Sequence, residues 1–324
     1  MSYARSLLRL GLRLLGPALL LYFLLTTDLR KLWAILLQTD PFWMGLSVVL
    51  VVPFLLLKGL RWKLILDAWK IPISLVDATA LYSVGIFLGV ITPGQAGDAV
   101  KAWYLRQRGQ SLAAGLASVV VDRLFDVAIM GALAATGLYF FWEVLPGGKL
   151  LNVLTVVVML GAVAVGMMLA TSPRLRAGSI HRFVPAGLSR RINMVAVERM
   201  NLRPEQVTRV ALVTAAGLTI TFVRVYMLFL ALDTPIPLGP FIALVATIAL
   251  VGTASPGGVG TRDAVMVFVL TSILRMPAAD AQARAIAIST LLLALNLLNV
   301  VVGYLFSLRY PLAAIRKEAL TEPA

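Results

Sequence analysis

Long apolar stretches, broken by short polar and mostly basic segments, set the pattern of this chain. Six of them, near 14–27, 41–57, 118–141, 150–170, 210–232 and 286–308, read as spans against the roughly 20 mostly apolar residues that a helix needs to cross a bilayer. Two others, 81–91 and 241–254, are short, and each ends at a similar phrase. The first is Thr92-Pro93-Gly94-Gln95-Ala96-Gly97-Asp98-Ala99-Val100. The second is Ser255-Pro256-Gly257-Gly258-Val259-Gly260, followed by Thr261-Arg262-Asp263-Ala264-Val265. Pro93 and Pro256 are 163 positions apart. The same register pairs Arg61 with Arg224, Ala68 with Ala231, Pro72 with Pro235, Ile73 with Ile236, Leu75 with Leu238 and Gly89 with Gly252. A register held that long without a gap marks an internal repeat.

Composition supports a membrane setting. The chain is 60% hydrophobic with a mean hydropathy of +0.91, beyond the roughly half-apolar make-up of soluble domains. The net charge of +14 is spread over loops between spans, so it reads as a positive-inside bias toward an anionic leaflet. Nucleic acid is not an expected partner.

Charge also decides how the chain threads. Arg5, Arg9 and Arg13 precede the first apolar run, which reads as a retained first span with the N-terminus in the cytoplasm. Segment 28–40 then lies outside, and Lys58, Arg61, Lys63 and Lys70 return to the inner face. If 81–91 were a full span, Lys101, Arg106, Arg108 and the Arg-rich segment 172–209 would lie outside, against the bias. If the chain instead enters from inside, turns at Pro93-Gly94 and leaves as a helix over 98–108, each limb is about 16–18 Å long, half the hydrocarbon depth. All of those basic residues then stay inside.

The second phrase then enters from outside, where 233–240 has no Lys or Arg, and Arg309, Arg316 and Lys317 keep the C-terminus cytoplasmic. Arg275 and Arg284 are outer-side exceptions. The expectation is an all-α integral membrane protein of about six full spans plus two re-entrant helical hairpins, in an inverted-topology repeat. It forms a single membrane domain over 1–324, with halves of about 1–145 and 146–324. Residues 172–209 form an amphipathic, Arg-rich cytoplasmic connector. The alternative is eight simple spans with two Pro-Gly kinks. Irregular backbone at membrane depth must be buried in protein or line a cavity, which favours hairpins.

Candidate chemistry gathers at the two phrases. A Pro-Gly turn followed by a helix presents unpaired N–H groups and a positive dipole end near mid-membrane, a setting for phosphate. Thr92, Gly94, Gly97, Ser255, Gly257 and Gly260 would line it, although Gly97 and Gly260 also suit close helix packing. Charges at depth are costly and normally partnered. Asp98 and Lys101 are three apart, as are Arg123 and Asp126, while Asp122 and Asp126 are four apart and share a face. Asp122, Arg123 and Asp126 therefore read either as a helix staple or as part of the site. Arg61 and Arg224 are repeat mates, and Arg224 has no nearby acid in sequence. It needs a carboxylate from another helix or a lipid phosphate. Arg61, Arg224, Arg262 and Lys101 are expected to line a basic cavity, with Arg123 beside them. Asp98, Asp126 and Asp263 are possible proton carriers. There are no cysteines and one histidine, His181, so no metal or cofactor is expected, and no nucleotide-binding loop is present.

Carried by Leu60-Arg61-Trp62-Lys63, the phrase Thr92–Asp98 with Lys101, Asp122-Arg123-Leu124-Phe125-Asp126, and Ser255–Gly260 with Arg262 and Asp263, the chain resembles the flippase-like transmembrane family. That family forms the membrane part of bacterial lysylphosphatidylglycerol synthase. The resemblance implies a bacterial or archaeal cell membrane location and passage of an anionic phospholipid or polyprenyl-phosphate-linked sugar between leaflets. It also implies a glycosyltransferase or lipid-biosynthesis partner. With the sequence ending at Ala324, the expectation is a stand-alone member without the synthase's soluble domain. The leading function is thus a flippase or scramblase-like transporter rather than an enzyme. A lipid-modifying membrane enzyme and a non-transporting scaffold are the alternatives.

Overall fold

The computed structural model describes residues 37–91, 97–141, 202–251, 261–272 and 275–309, with isolated positions elsewhere. These residues are helical, with no strand among them. The expected spans near 14–27 and 150–170, most of the 172–209 connector, and the turns holding Thr92, Gly94, Ser255, Gly257 and Gly260 lie outside the described residues, as do the side chains of Arg262 and Asp263.

Nine helices stand among the described residues. Helices α1 (Pro41–Val49) and α2 (Val51–Ala68) form one broken span. Asp40 caps α1 by accepting from the Phe42 N–H at 2.8 Å, and Pro41 supplies the pre-set first-turn φ. The break falls at Leu50, because Pro53 has no N–H to give the Val49 carbonyl. Helix α3 (Leu75–Ile91) follows, with the Ser74 hydroxyl accepting from the Asp77 N–H at 3.0 Å. That cap starts α3 six residues before its apolar run at 81. At 17 residues the limb is about 25 Å long, more than the half-depth the hydrophobic pattern predicts.

Helix α4 (Val100–Gln107) ends at Gly109, whose φ of 80° is the left-handed geometry that suits glycine. Helix α5 (Leu112–Phe141) is 30 residues long. After the gap come α6 (Pro204–Ala231), α7 (Leu238–Val251), α8 (Thr261–Ser272) and α9 (Ala278–Arg309). Among the described residues, three helical stretches are long and apolar enough to cross a membrane: Pro41–Ala68, Pro204–Ala231 and Asp280–Arg309. Exposed Val52, Leu56, Val127, Leu212 and Leu305 on helix flanks form an apolar exterior suited to lipid.

The sequence register reappears in the backbone. Lys70 and Asp233, 163 positions apart, both take positive φ, at 61° and 47°. Each is followed by the same closing bond, from the Ile71 N–H to the Leu66 carbonyl at 2.9 Å and from the Thr234 N–H to the Phe229 carbonyl at 2.8 Å. Both helices thus end in the same Schellman-type cap, ahead of Pro72 and Pro235. Packing partners match too: α2 packs on α3 and α6 on α7, α4 on α5 and α8 on α9, α9 on α3 and α7 on α5.

At the centre, α1–α2 and α6 run antiparallel. The Asp40 N–H reaches the Ala231 carbonyl at one end, and Ile65 packs with Val210 toward the other. Two large apolar clusters fill the interior of the described helices. One gathers Trp62, Tyr82, Phe87 and Leu105. The other surrounds Phe241 with edge-on Phe222, Tyr226 and Phe229, at centroid distances of 6.3, 4.9 and 5.6 Å.

Small residues set the closest approaches. A Cβ on Gly303 of α9 would overlap the Ser83 carbonyl oxygen of α3. Gly303→Val is therefore expected to push α9 off α3 and to cost about 1–3 kcal/mol, read as a lower unfolding temperature in detergent.

Candidate functional site

Among the described residues, buried charge lies in two places, and they are built differently. The first lies where α2, α3, α4 and α5 meet. Lys58 and Arg61, three apart on α2, face Asp122 and Asp126, four apart on α5. Arg61 Nε donates to Asp122 Oδ1 at 2.7 Å, and Nη2 donates to Asp126 Oδ2 at 2.9 Å, with Nη1 close on Asp126 Oδ1. Nη2 also donates to the Tyr82 hydroxyl at 2.9 Å, and that hydroxyl donates on to Asp122 Oδ2 at 2.9 Å. Lys58 Nζ meets both Asp126 oxygens at 2.9 Å.

Lys101 sits 3.0 Å from Asp98 Oδ1 and 3.5 Å from Asp122 Oδ2. It lies against the Tyr82 and Trp62 rings, 3.8 and 5.4 Å from their centroids. Arg123 donates to Asp98 Oδ2 from Nε at 2.9 Å and approaches it with Nη2 at 2.8 Å. Arg61, Lys101, Asp98 and Asp122 are buried, and the cluster opens toward solvent only at Lys58, Asp126 and Arg123. Charges this deep persist only when each finds partners. Here every carboxylate bridges at least two cations. The cluster pins the start of α4 to α2 and α5.

Several expected contacts change. Asp98 and Lys101 pair as their spacing predicts. Arg123 turns to Asp98 rather than Asp126, which α2 has taken. Arg61 and Lys101, expected to face a basic cavity, are committed to carboxylates. Asp122 and Asp126 join helices, and the wider cluster includes Lys58, Tyr82 and Trp62, which the sequence reading did not single out. The i, i+3 spacing of Lys58 and Arg61 opposite an i, i+4 acid pair was an available signal for Lys58. An aromatic on an apolar helix gave none for Tyr82.

The second place is Arg224 on α6. It is buried to 4% exposure. Nε donates to the Ser47 carbonyl at 3.2 Å, and the Ser47 hydroxyl donates back to the Arg224 carbonyl at 3.0 Å. The guanidinium carbon lies 4.9 Å from the Phe54 ring centroid. Its Nη2 has no hydrogen-bond partner among the described residues, nor does any carboxylate among them pair with it. The helices that pack in matching positions differ in their acids. Helix α5 supplies two acids to Arg61, but the corresponding helix α9 has a single acid, Asp280, in its first turn. Arg262 and Asp263 stand in the first turn of α8.

These features define a helical membrane protein in which, among the described residues, one buried arginine is paired with carboxylates and another, 163 positions on, is not. The family model of the lysylphosphatidylglycerol synthase TM region matches residues 8–314, and the chain belongs to that family. It is 27% identical over 259 residues to a UPF0104 membrane protein of Methanothermobacter thermautotrophicus, covering 71% of this chain and 73% of that one. A UPF0104 membrane protein of Methanocaldococcus jannaschii is 23% identical, with 74% and 77% covered. One from Pyrococcus horikoshii is 26% identical over 35% of each chain. No solved structure matches.

Proposed function

We propose that this protein moves an anionic lipid between membrane leaflets, with Arg224 holding the phosphate of the headgroup. The observation that carries the reading is a buried guanidinium with an unused Nη2 and no acid among the described residues. Such a charge at depth costs about 2.5–3.5 kcal/mol on insertion scales and is normally partnered. A phosphate oxygen supplies that partner through a charge-assisted bond.

The inverted arrangement supports the same reading. The mates α2 and α6 run antiparallel, and their packing partners exchange between halves. Arg61 and Arg224 each stand seven residues from their helix ends at Ala68 and Ala231, about 10 Å along the axis. They therefore sit near opposite ends of the paired helices. With the termini cytoplasmic, Arg61 lies toward the inner leaflet and Arg224 toward the outer. The first half braces the bundle and the second binds. Arg262, at the start of α8, is expected to add charge to the same site, with Ser255, Gly257 and Gly260 of the second phrase and Thr92, Gly94 and Gly97 of the first as its expected lining.

Arg284 fits this orientation despite its positive charge on the outer side. Its guanidinium caps α6, donating to the Leu232 and Asp233 carbonyls at 3.2 and 2.9 Å and to the Thr234 hydroxyl. The expected partners are membrane lipids, either an anionic phospholipid or a polyprenyl phosphate, and an enzyme that makes or uses the carried lipid.

The test is reconstitution in liposomes with headgroup-labelled phosphatidylglycerol, phosphatidylcholine and a polyprenyl phosphate. The proposal expects faster redistribution of the anionic lipids with no chemical change on chromatography. Release of a soluble headgroup would point to an enzyme, and no redistribution above protein-free liposomes would point to a scaffold.

A further inference from the structure

We propose that a recess at the outer end of the bundle is the vestibule of the Arg224 site, closed beneath by a removable floor of leucines. The proposal rests on the transport reading for its purpose, though not for its test. The recess has a volume of about 780 Å³ and opens among Asp40, Trp43, Leu232, Arg284 and Ala287, at the ends of α1, α6 and α9.

Three lines of side chains lead down from it. On α6, Leu232, Leu228 and Arg224 follow at four-residue intervals. On α9, Ala287, Leu291 and Leu295 do the same, and on α1, Asp40, Met44 and Ser47 descend by four and three. Residues so spaced share a helix face. The uppermost member of each line borders the recess. The middle members Leu228 and Leu291 meet with Leu295 in one apolar cluster, with Met44, Leu232 and Leu292 packed around it. The lowest members on α6 and α1 are Arg224 and Ser47, which are bonded to each other.

A recess of mixed polar and apolar lining, an apolar floor and a buried guanidinium thus lie in sequence along one helix interface. Floor and ion cluster differ in what parting costs. Separating the Arg61 cluster leaves buried charges unpaired, whereas the leucine contacts themselves hold no polar group to strand. The break at Leu50 separates α1 from α2, which stays tied to α5, and a swing of α1 releases its bonds to α6, from Asp40 to Ala231 and between Ser47 and Arg224.

The chain has no native cysteine, so a single Ser47→Cys reports access to the arginine. The probes are membrane-impermeant methanethiosulfonates, one anionic and one cationic, added from outside. Ser47→Cys alone is expected to react slowly. Adding Leu291→Ala should speed the anionic reagent at least tenfold, and the milder Leu291→Val should give an intermediate rate. Adding Leu270→Ala, an equally buried leucine on α8 outside the floor, should change little. With the floor trimmed, Arg224→Ala should lower the anionic-to-cationic rate ratio several-fold.

Equal rates for the Leu291 and Leu270 variants would overturn the proposal, as would fast labelling of Ser47→Cys with the floor intact. Labelling requires no lipid movement. A negative result here therefore leaves the transport reading standing, and a failed lipid assay leaves this one standing.

Discussion

Asp122→Leu is expected to lose about 3–5 kcal/mol of folding stability, the cost of removing one partner from a buried ion pair. The size of the loss follows from position. Asp122 is fully buried and receives Arg61 Nε, the Tyr82 hydroxyl and, more distantly, Lys101. Leucine fills similar space but leaves two buried cations facing an apolar group, and Asp126 is already shared between Arg61 and Lys58. The consequence extends beyond one bond, because Asp122 ties α2 to α5 and contributes to holding Lys101 at the start of α4. The measurement is thermal unfolding in detergent beside Asp67→Ala, which removes the half-exposed Lys63–Asp67 pair. That control is expected to change stability by less than about 1 kcal/mol. Similar small losses in both variants would mean that the cluster does not brace the bundle.

Arg224→Ala should act in the opposite way, sparing the fold and stopping the traffic. The substitution loses one hydrogen bond to the Ser47 carbonyl and the contact with Phe54. It also removes a buried charge that no described carboxylate offsets. The two effects oppose each other, so stability should stay within about 1 kcal/mol. Lipid redistribution should fall much further. A hydrogen bond to a charged group contributes about 1.5–3 kcal/mol, which corresponds to roughly 10- to 100-fold in rate. Arg224→Lys keeps the charge but loses the planar fork, so it should retain part of the activity. The check is the leaflet exchange rate of labelled phosphatidylglycerol for the three proteins at matched reconstitution. A rate for Arg224→Ala equal to wild type would remove the residue from the pathway.

The two arginines show where sequence stops being informative. The register pairing Arg61 with Arg224 was plain in the residue order, and the structure repeats it down to the caps at Lys70 and Asp233. Helix positions were also legible, since apolar runs mark the faces that must leave water. The inequality of the two arginines was only half visible. The lack of an acid near Arg224 could be read directly, but the capture of Arg61 depends on which face of α5 meets α2.

Spacing along one helix reports neighbours on that helix alone. Asp126 and Arg123 are three apart and could have paired. Across α5, however, Asp126 faces α2 while Arg123 faces the start of α4 and takes Asp98. The early start of α3 was missed for a local reason: Ser74 starts a helix over Asp77 and Thr79, polar residues that interrupt the hydrophobic signal. Ser47 carries no signal of its own, because its role comes from a carbonyl and a hydroxyl aimed at a helix 177 residues away.

Equilibrium binding tests the central claim most directly, with purified wild-type and Arg224→Ala protein titrated against phosphatidylglycerol and phosphatidylcholine in detergent. The account predicts at least a tenfold weaker affinity of the variant for phosphatidylglycerol and the same affinity for phosphatidylcholine. Equal affinity of the two proteins for the anionic lipid would contradict it.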